Sequence, residues 1–460
     1  MRHSFAKLMA LLMALLLVLT GCNLVDVDQV AVIEEQRAEV EKQLSTALVE
    51  YDGGTVTEFD VMASFYGNYS YMAQLYSSFG MSMDSEMVNS ILQDVVDTEL
   101  QSRAIAKEFE SRGLSLSKTV DEINAEADEA YQSNYDYVYE NVEGDTDEVR
   151  AANTELTLYQ QGYTKEHLRE YFMSTYRMEA VEAAVRDEIS EVTDEELQAA
   201  YEEQVAADES TYTETPTRLD GTMTSADALV CWMPEGYRTV KHVLVIPEDE
   251  VLQAVTDARK AVDAAKKALE DLEAELDGVN DDEPEEGEEV RTAEEIQADI
   301  DAKEAELTDL EAAARAAESA CLESVKDRTD EIYAKLEAGE DFDAVMAEYG
   351  EDPGMQSEPS MTSGYYVSAD STQWDANFTA GAMLLEKVGD YSAEPVISTS
   401  GVHIICYNSD VTPGAVPMED VRDALYAQTL ESMKSEHYES ELAGWVEALK
   451  PVYHMDAWEF

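Results

Sequence analysis

The sequence Val240-Lys241-His242-Val243-Leu244-Val245 places one histidine in the middle of an apolar, β-branched run. Such a run predicts a buried strand, here over residues 237–246. A second run of the same character, Ser400-Gly401-Val402-His403-Ile404-Ile405, lies near the end of the chain. Of the six histidines, these are the two flanked by β-prone apolar residues. Each is therefore either a hydrogen-bonded core residue or part of a site, and the two roles are compatible.

A regular helical pattern fills much of the sequence between these two runs. Apolar residues step by four and three in turn over 251–276, and again over 293–321. The acidic segment 277–289, which contains two glycines and a proline, interrupts the pattern. This predicts an antiparallel coiled-coil hairpin over 251–325, with arms of roughly 40 Å. A straight dimeric coiled coil is the alternative, and the interruption disfavours it.

The flanking sequence is mainly helical. Residues 30–210 have helical apolar spacing, and a capping-box pattern over 193–196 begins one of their helices. Residues 211–236 belong to a stretch rich in Thr, Ser, Pro and Gly, which predicts a linker. A final amphipathic helix lies within 411–460.

Tyr, Met and Phe are unusually dense over residues 65–87. Such a stripe is either the buried side of a helix or an adaptable surface that binds unfolded polypeptide. We favour the buried side, because apolar stripes at helical spacing are usually core.

The first 21 residues have the anatomy of an export signal, with Arg2 and Lys7 ahead of an apolar run over 8–19. The run ends in Leu19-Thr20-Gly21-Cys22, which resembles the bacterial lipobox. That resemblance implies cleavage before Cys22, two acyl chains on the new N-terminus and a lipidated tether over 22–29. The chain would then be extracytoplasmic and lipid-anchored to the bacterial cell membrane. An ordinary secretory signal with a chance cysteine is the alternative.

The net charge of −71 restricts the possible partners. Such a field repels nucleic acid and anionic lipid, so it excludes a nucleic-acid role and favours basic polypeptides. The other three cysteines have no metal-ligand or redox spacing, and the sequence contains no motif for a cofactor. The acidic run over 281–289 lacks the spaced ligands of a defined calcium loop, so we expect no metal.

Three segments in order resemble the parvulin family of peptidyl-prolyl isomerases. They are the strand with His242, the segments 336–342 and 347–354 (LEAGEDF and AEYGEDPG), and residues 378–405, which end with the His403 run. The resemblance covers 237–408 without the hairpin. A fainter resemblance, to exported parvulin chaperones of the foldase and SurA-like kind, covers 49–59 and the helices leading to residue 210.

The resemblance implies an α+β fold class. A parvulin-like domain over 237–410, with a small antiparallel sheet and surrounding helices, would bear the hairpin as an insertion. An all-α chaperone lobe would combine 30–210 with the C-terminal helix of 411–460. The family alignment places catalytic roles on five residues: His242, Asp352, Ser398, Ser400 and His403.

The same alignment places the proline-binding slot at Tyr366, Trp374 and Phe378. Trp374 stands where the family usually has Met, and Tyr366 where an aliphatic residue is usual. These larger rings would either line the slot or fill it. The family's glycine-rich segment retains one glycine here, within 361–367.

The expected function is that of a peptidyl-prolyl isomerase and chaperone acting on exported polypeptides with X-Pro bonds. One alternative is a catalytically weak parvulin-fold holdase that binds unfolded clients. Another makes the hairpin a scaffold that contacts an export or envelope machine. The charged outer faces of the hairpin fit a solvated spacer at least as well.

Overall fold

The computed structural model describes residues 28–281 and 291–457. The predicted signal at 1–21, the lipidation candidate Cys22 and the acidic run over 282–289 lie outside these residues. Within the described ranges, no helix is both long enough and apolar enough to cross a membrane. The chain divides into two compact units, of which unit 1 combines Met1–Glu191 with Leu430–Phe460 and unit 2 is Val192–Thr429.

Helices make up most of the described chain. The α-helices are α1 Gln29–Leu44, α2 Glu58–Ser78, α3 Ser85–Arg112, α4 Val120–Asn141, α5 Asp147–Gln160, α6 Lys165–Arg186, α7 Asp194–Glu214, α8 Arg218–Thr222, α9 Asp249–Asp281, α10 Ala293–Ser324, α11 Lys326–Glu337, α12 Phe342–Tyr349, α13 Ser360–Ser363, α14 Ala376–Met383 and α15 Met418–Ala448.

The strands form small antiparallel sheets. They are β1 Ala47–Tyr51, β2 Gly54–Thr57, β3 Trp232–Met233, β4 Arg238–Val245, β5 Tyr365–Val367, β6 Val396–Ile397, β7 Val402–Asp410, β8 Gly414–Ala415 and β9 Val452–Tyr453. The sheet orders are β2-β1-β9, β3-β8 and β5-β4-β7-β6. Helices beside small antiparallel sheets confirm the predicted α+β class.

Unit 1 buries one side of helices α2 and α3 against the β1–β2 hairpin. Phe65 of α2 and Leu100 of α3 are fully buried in this cluster. The aromatic and methionine stripe is not wholly buried as favoured above, because the later part of α2 and the turn after it face solvent. There Tyr71 is 66% exposed and Phe79 is 72% exposed. The stripe therefore contributes both core and surface.

Unit 2 is built around the four-stranded sheet. One sheet face packs Val243, Val245 and Ile404 against helices α11 and α12. The other face packs Val240 and Ile405 against helix α14. Because side chains alternate along a strand, successive residues of β4 and β7 serve the two faces in turn.

Helices α9 and α10 pack against each other along their lengths. Arg259 pairs with Glu318, and Lys266 further along α9 pairs with Glu311 further back along α10. A residue further along α9 thus pairs with one further back along α10. The two helices are therefore antiparallel, as in the predicted hairpin. Coiled-coil supercoiling stays a prediction.

The predicted linker over 211–236 is corrected by the structure. Helix α7 continues to Glu214, and helix α8 and strand β3 follow it. The buried side chains of Tyr212, Leu219, Val230 and Met233 pack with Tyr237 in one apolar cluster. The Thr- and Ser-rich composition hid these apolar residues, which are spaced too irregularly for a helix or strand pattern. Helix α7 also falls in unit 2, so the first part of unit 1 ends at Glu191, before residue 210.

Candidate active site

Strands β4 and β7 bring the two predicted histidines together. In their antiparallel register His242 pairs with Ile405 and Leu244 pairs with His403, so the two imidazoles are diagonal neighbours on one sheet face. Their Nδ1 atoms lie 2.9 Å apart. His242 is 2% exposed and His403 is 4% exposed. The two rings therefore form one buried, hydrogen-bonded pair.

A polar side chain extends this pair at each end. The Nε2 atom of His242 lies 2.8 Å from Oδ2 of Asp352. The Nε2 atom of His403 lies 2.6 Å from the hydroxyl oxygen of Ser398. Asp352, His242, His403 and Ser398 thus form one continuous chain of hydrogen bonds. Four of the five residues predicted to be catalytic meet in it.

Asp352 is the ionised end of this chain. Burial by itself would raise its pKa, but His242, the Tyr365 hydroxyl at 2.8 Å and the Gly354 N–H at 2.9 Å outweigh burial and lower the pKa to about 2. Burial, together with this carboxylate, raises the pKa of Tyr365. The Tyr365 hydroxyl therefore remains a hydrogen-bond donor to Asp352 at neutral pH.

His403 is the neutral centre of the chain. Burial first, and the adjacent His242 next, lower the pKa of His403 to about 3. When both imidazoles are neutral, one placement of protons satisfies every bond. The Ser398 hydroxyl donates to His403 Nε2, His403 Nδ1–H donates to His242 Nδ1, and His242 Nε2–H donates to Asp352. All donors then point toward the carboxylate.

Aromatic rings stand over the histidine pair. The Phe378 ring meets both imidazoles edge-on, with centroid distances of 5.1 Å. Trp374 stacks on Tyr365 with their centroids 4.2 Å apart, and its indole N–H donates to the Tyr366 carbonyl at 2.8 Å. Both tryptophan contacts fix the indole in place. The structure thus puts Phe378 against both histidines, whereas Trp374 lies next to Phe378 and Tyr365, with ring centroids 6.3 Å and 4.2 Å away.

The alignment is wrong for the side chain of Tyr366. This ring packs against the cluster of Leu219, Val230 and Met233, away from the histidines. Neighbouring side chains on a strand point to opposite faces, so Tyr365 of β5 takes the position on the histidine face. The register is fixed by Gly364, whose φ is 79° and where a Cβ would lie 2.6 Å from a backbone oxygen of β4. The glycine retained within 361–367 was the available signal.

Ser400 takes part through its backbone only. Its N–H donates to the Ser398 hydroxyl oxygen at 2.9 Å, while its side chain is exposed. The alignment placed Ser400 near the closing histidine but could not separate backbone from side chain. Tyr365, which was not among the predicted site residues, donates its hydroxyl to Asp352.

The geometry suits a fixed polar floor better than covalent catalysis. A Ser-His pair ending on a carboxylate is the order found in nucleophilic sites. Ser398, however, is only 2% exposed, and a histidine with a pKa of about 3 is a weak base. What remains is a buried, preorganised set of dipoles next to the Phe378 ring, which itself lies next to Trp374. Such a site can bind a compact apolar ring and stabilise a distorted polar group next to it.

Comparison with solved structures gives matches of low overall similarity. The peptidylprolyl isomerase PrsA of Bacillus anthracis is 12% identical, with 76% of this chain and 94% of that chain covered and a TM-score of 0.18. The foldase protein PrsA of Streptococcus pneumoniae is 13% identical, with 90% and 97% covered and a TM-score of 0.24. A structure of the SurA-like chaperones PEB4 and Cj1289 of Campylobacter jejuni is 11% identical, with 88% and 98% covered and a TM-score of 0.19.

Comparison with curated proteins gave no match. Among family models, the rotamase model, a PPIC-type PPIase domain, matches residues 305–409. This range contains Asp352, Trp374, Phe378, Ser398 and His403. Strand β4 lies before it, on the far side of the hairpin, and returns to pair with β7 in the sheet. The chain therefore contains a PPIC-type peptidyl-prolyl cis-trans isomerase domain.

Proposed function

We propose that the chain is a lipid-anchored, extracytoplasmic prolyl isomerase and chaperone that assists the folding of exported proteins. The observation that carries the proposal is the hydrogen-bonded chain Asp352–His242–His403–Ser398, with the Phe378 ring against both of its imidazoles. The match to the PPIC-type domain supports the same activity.

The reaction requires little chemistry from the protein. Rotation about an X-Pro bond faces a barrier of ~18–20 kcal/mol from amide resonance. A site lowers it by holding the proline ring and by stabilising the twisted amide more than the planar one. Trp374, which is partly exposed, and Phe378, which is 4% exposed, supply apolar surface for the ring, and the buried histidine pair supplies fixed dipoles that need no reorganisation. No proton transfer or covalent intermediate is needed.

An isomerisation assay on a panel of short X-Pro peptides tests this activity. The mature chain is compared with a His242→Ala, His403→Ala double variant and with His454→Ala, which removes a 42% exposed imidazole side chain in unit 1. We expect activity in the wild type and in His454→Ala, and a loss in the double variant with its circular dichroism unchanged. A wild-type chain with no activity on any peptide would refute the isomerase.

The anchor is supported by the export-signal anatomy and by the Leu19-Thr20-Gly21-Cys22 sequence. Expression in bacteria with labelled fatty acid tests it. We expect label on the wild type and partition into detergent, and neither in a Cys22→Ser variant. An unlabelled wild type that is nevertheless exported would favour an ordinary secretory signal.

A holdase with weak or no isomerase activity is the second candidate. Between α2 and α3 lies a groove with a volume of about 330 Å³, lined by apolar residues that include Met72, Met87 and Ile91. The exposed rings of Tyr71 and Phe79 lie on the same stretch of unit 1. Methionine side chains adapt to many apolar partners, so this groove suits unfolded segments of varied sequence.

Suppression of client aggregation separates the two candidates. A Met72→Ser, Met87→Ser variant should hold an unfolded client less well and keep its activity on X-Pro peptides. The histidine double variant should show the reverse. If the wild type has little or no activity on X-Pro peptides while the groove variant loses client binding, the holdase becomes the better account.

A further inference from the structure

A tight turn between β6 and β7 carries the Ser398 hydroxyl to His403. The Ser398 N–H donates to the Gly401 carbonyl at 2.8 Å and closes the turn. The Thr399 N–H donates to one carboxylate oxygen of Asp375 at 3.0 Å. The other oxygen of Asp375 caps helix α14, which carries Phe378. The turn therefore carries the 2.6 Å bond between Ser398 and His403, and Asp375 connects the turn to the first residues of helix α14.

One contact to this turn comes from the inserted hairpin. Arg259 of α9 donates from its guanidinium to the carbonyl of Ile397 at 3.1 Å. Ile397 directly precedes Ser398 and lies in β6, the outermost strand of the sheet. A charged donor on a carbonyl makes a stronger hydrogen bond than a neutral donor does.

Both arms of the hairpin hold this arginine in place. Glu318 of α10 accepts from the guanidinium of Arg259 at 2.8 Å, and the two side chains are 24% and 33% exposed. One turn of helix away, Val255 and Cys321 are buried in the same core cluster as Ile397. The base of the hairpin is thus part of the isomerase core, and the guanidinium is preorganised before it reaches the carbonyl.

We infer that Arg259 is a positioning residue of the isomerase site, through which the inserted hairpin holds Ser398 against His403. The inference rests on the proposed isomerase activity. Arg259 touches neither the histidines nor the aromatic rings, so it acts only through the turn. Loss of its bond to the Ile397 carbonyl lets Ser398 move away from His403, and the polar floor loses its fixed geometry. Phe378 and Trp374 are held by their own apolar cluster and by the indole bond to the Tyr366 carbonyl, so kcat falls and KM is retained.

An Arg259→Met variant tests this, because methionine keeps most of the apolar stem and removes the guanidinium. It also leaves the Glu318 carboxylate without its partner. An Arg259→Met, Glu318→Gln double variant removes that unpaired charge and separates a stability effect from a positioning effect. The matched control is Arg315→Met, the same substitution on the same hairpin at a side chain that is 68% exposed and pairs with Glu311.

We expect Arg259→Met to lower kcat about 2- to 10-fold at unchanged KM, the effect of losing one hydrogen bond. The double variant should regain thermal stability without regaining kcat, and Arg315→Met should match the wild type. NMR of the His403 imidazole should show a changed Nε2 resonance in the two Arg259 variants. Recovery of kcat in the double variant, or an unchanged kcat and Nε2 resonance in Arg259→Met, would overturn the inference.

The NMR signal also keeps this inference separate from the proposed function. If the wild type has no isomerase activity, the proposed function fails. The Nε2 resonance of His403 then still shows whether Arg259 holds Ser398 in place, with a shift in Arg259→Met supporting the positioning role and no shift refuting it.

Discussion

His403 shows how a single buried group links the site to stability. Its pKa is lowered from 6.5 to about 3, mainly by burial. The unfolded chain therefore binds this proton near pH 6.5, while the folded chain resists it until about pH 3. Above pH 6.5 the imidazole is neutral in the folded and the unfolded chain and does not change the free energy of unfolding. Below pH 6.5 the unfolded chain binds the proton and the folded chain does not, so the free energy of unfolding falls as the pH falls from 6.5 toward 3.

A His403→Gln variant removes this titration, so we expect its free energy of unfolding to fall less steeply with acid than that of the wild type. The difference approaches one proton, about 1.4 kcal/mol per pH unit. Urea unfolding at several pH values between 7 and 4 measures it. His454→Gln, at an exposed position, serves as the control. Parallel pH dependences of the wild type and His403→Gln would contradict the prediction.

Tyr365 separates the hydrogen bond to Asp352 from the aromatic stack. Tyr365→Phe removes the 2.8 Å bond to the carboxylate and keeps the ring that stacks on Trp374. The pKa of Asp352 should rise, and kcat/KM on an X-Pro peptide should fall about 2- to 10-fold. Tyr366→Phe makes the same change on the opposite sheet face and should leave kcat/KM as it is. Equal effects of the two substitutions would show that the hydroxyl on Asp352 has no special role.

At the residue scale, the resemblance to the parvulin family pointed to the histidine pair, Asp352 and Ser398, and the structure joins these four by hydrogen bonds. The resemblance did not distinguish Tyr365 from Tyr366. A one-residue difference on a three-residue strand exchanges the two sheet faces, and only the contacts of Gly364 decide it. Sequence alone cannot supply such contacts.

At the scale of elements, the hairpin has a base that packs in the core and an outer part that does not. Val255, Arg259 and Cys321 contact the isomerase core, whereas the helix pair beyond them packs mainly on itself. We expect a variant in which a short glycine-containing turn replaces residues 264–313 to keep kcat/KM within about twofold. The peptide assay measures this. A folded but inactive short-hairpin variant would show that the outer hairpin takes part in catalysis.

The helices of this hairpin were predictable because their apolar period continues over many turns. The segment 211–236 was not, because its helix α8 spans only five residues and its buried side chains follow no period. Buried polar groups also stabilise this segment. Asp220 is fully buried and accepts a hydrogen bond from the Tyr237 hydroxyl at 2.6 Å. The composition of the segment does not predict a hydrogen bond between one particular pair of residues.

At the scale of the whole molecule, the charge of −71 acts on any client before contact. The groove between α2 and α3 also carries a negative charge, because Asp94 is one of its lining residues. A basic unfolded client is therefore attracted, and an acidic one repelled, over about one Debye length, ~10 Å at 0.1 M salt and ~3 Å at 1 M. A small neutral peptide is neither attracted nor repelled in this way, so its isomerisation does not depend on the charge.

We therefore expect the chain to suppress aggregation of a basic client well at low salt and poorly at 0.5–1 M salt. At 1 M the Debye length is about two thirds shorter than at 0.1 M, so the attraction acts over a much smaller distance. Succinylation of the same client reverses its charge and provides the matched control, which should be held weakly at any salt concentration. The rate on a neutral X-Pro peptide should change less than about twofold over the same range. If the succinylated client is held as well as the native one at low salt, apolar contact alone selects clients and the acidic surface serves solubility.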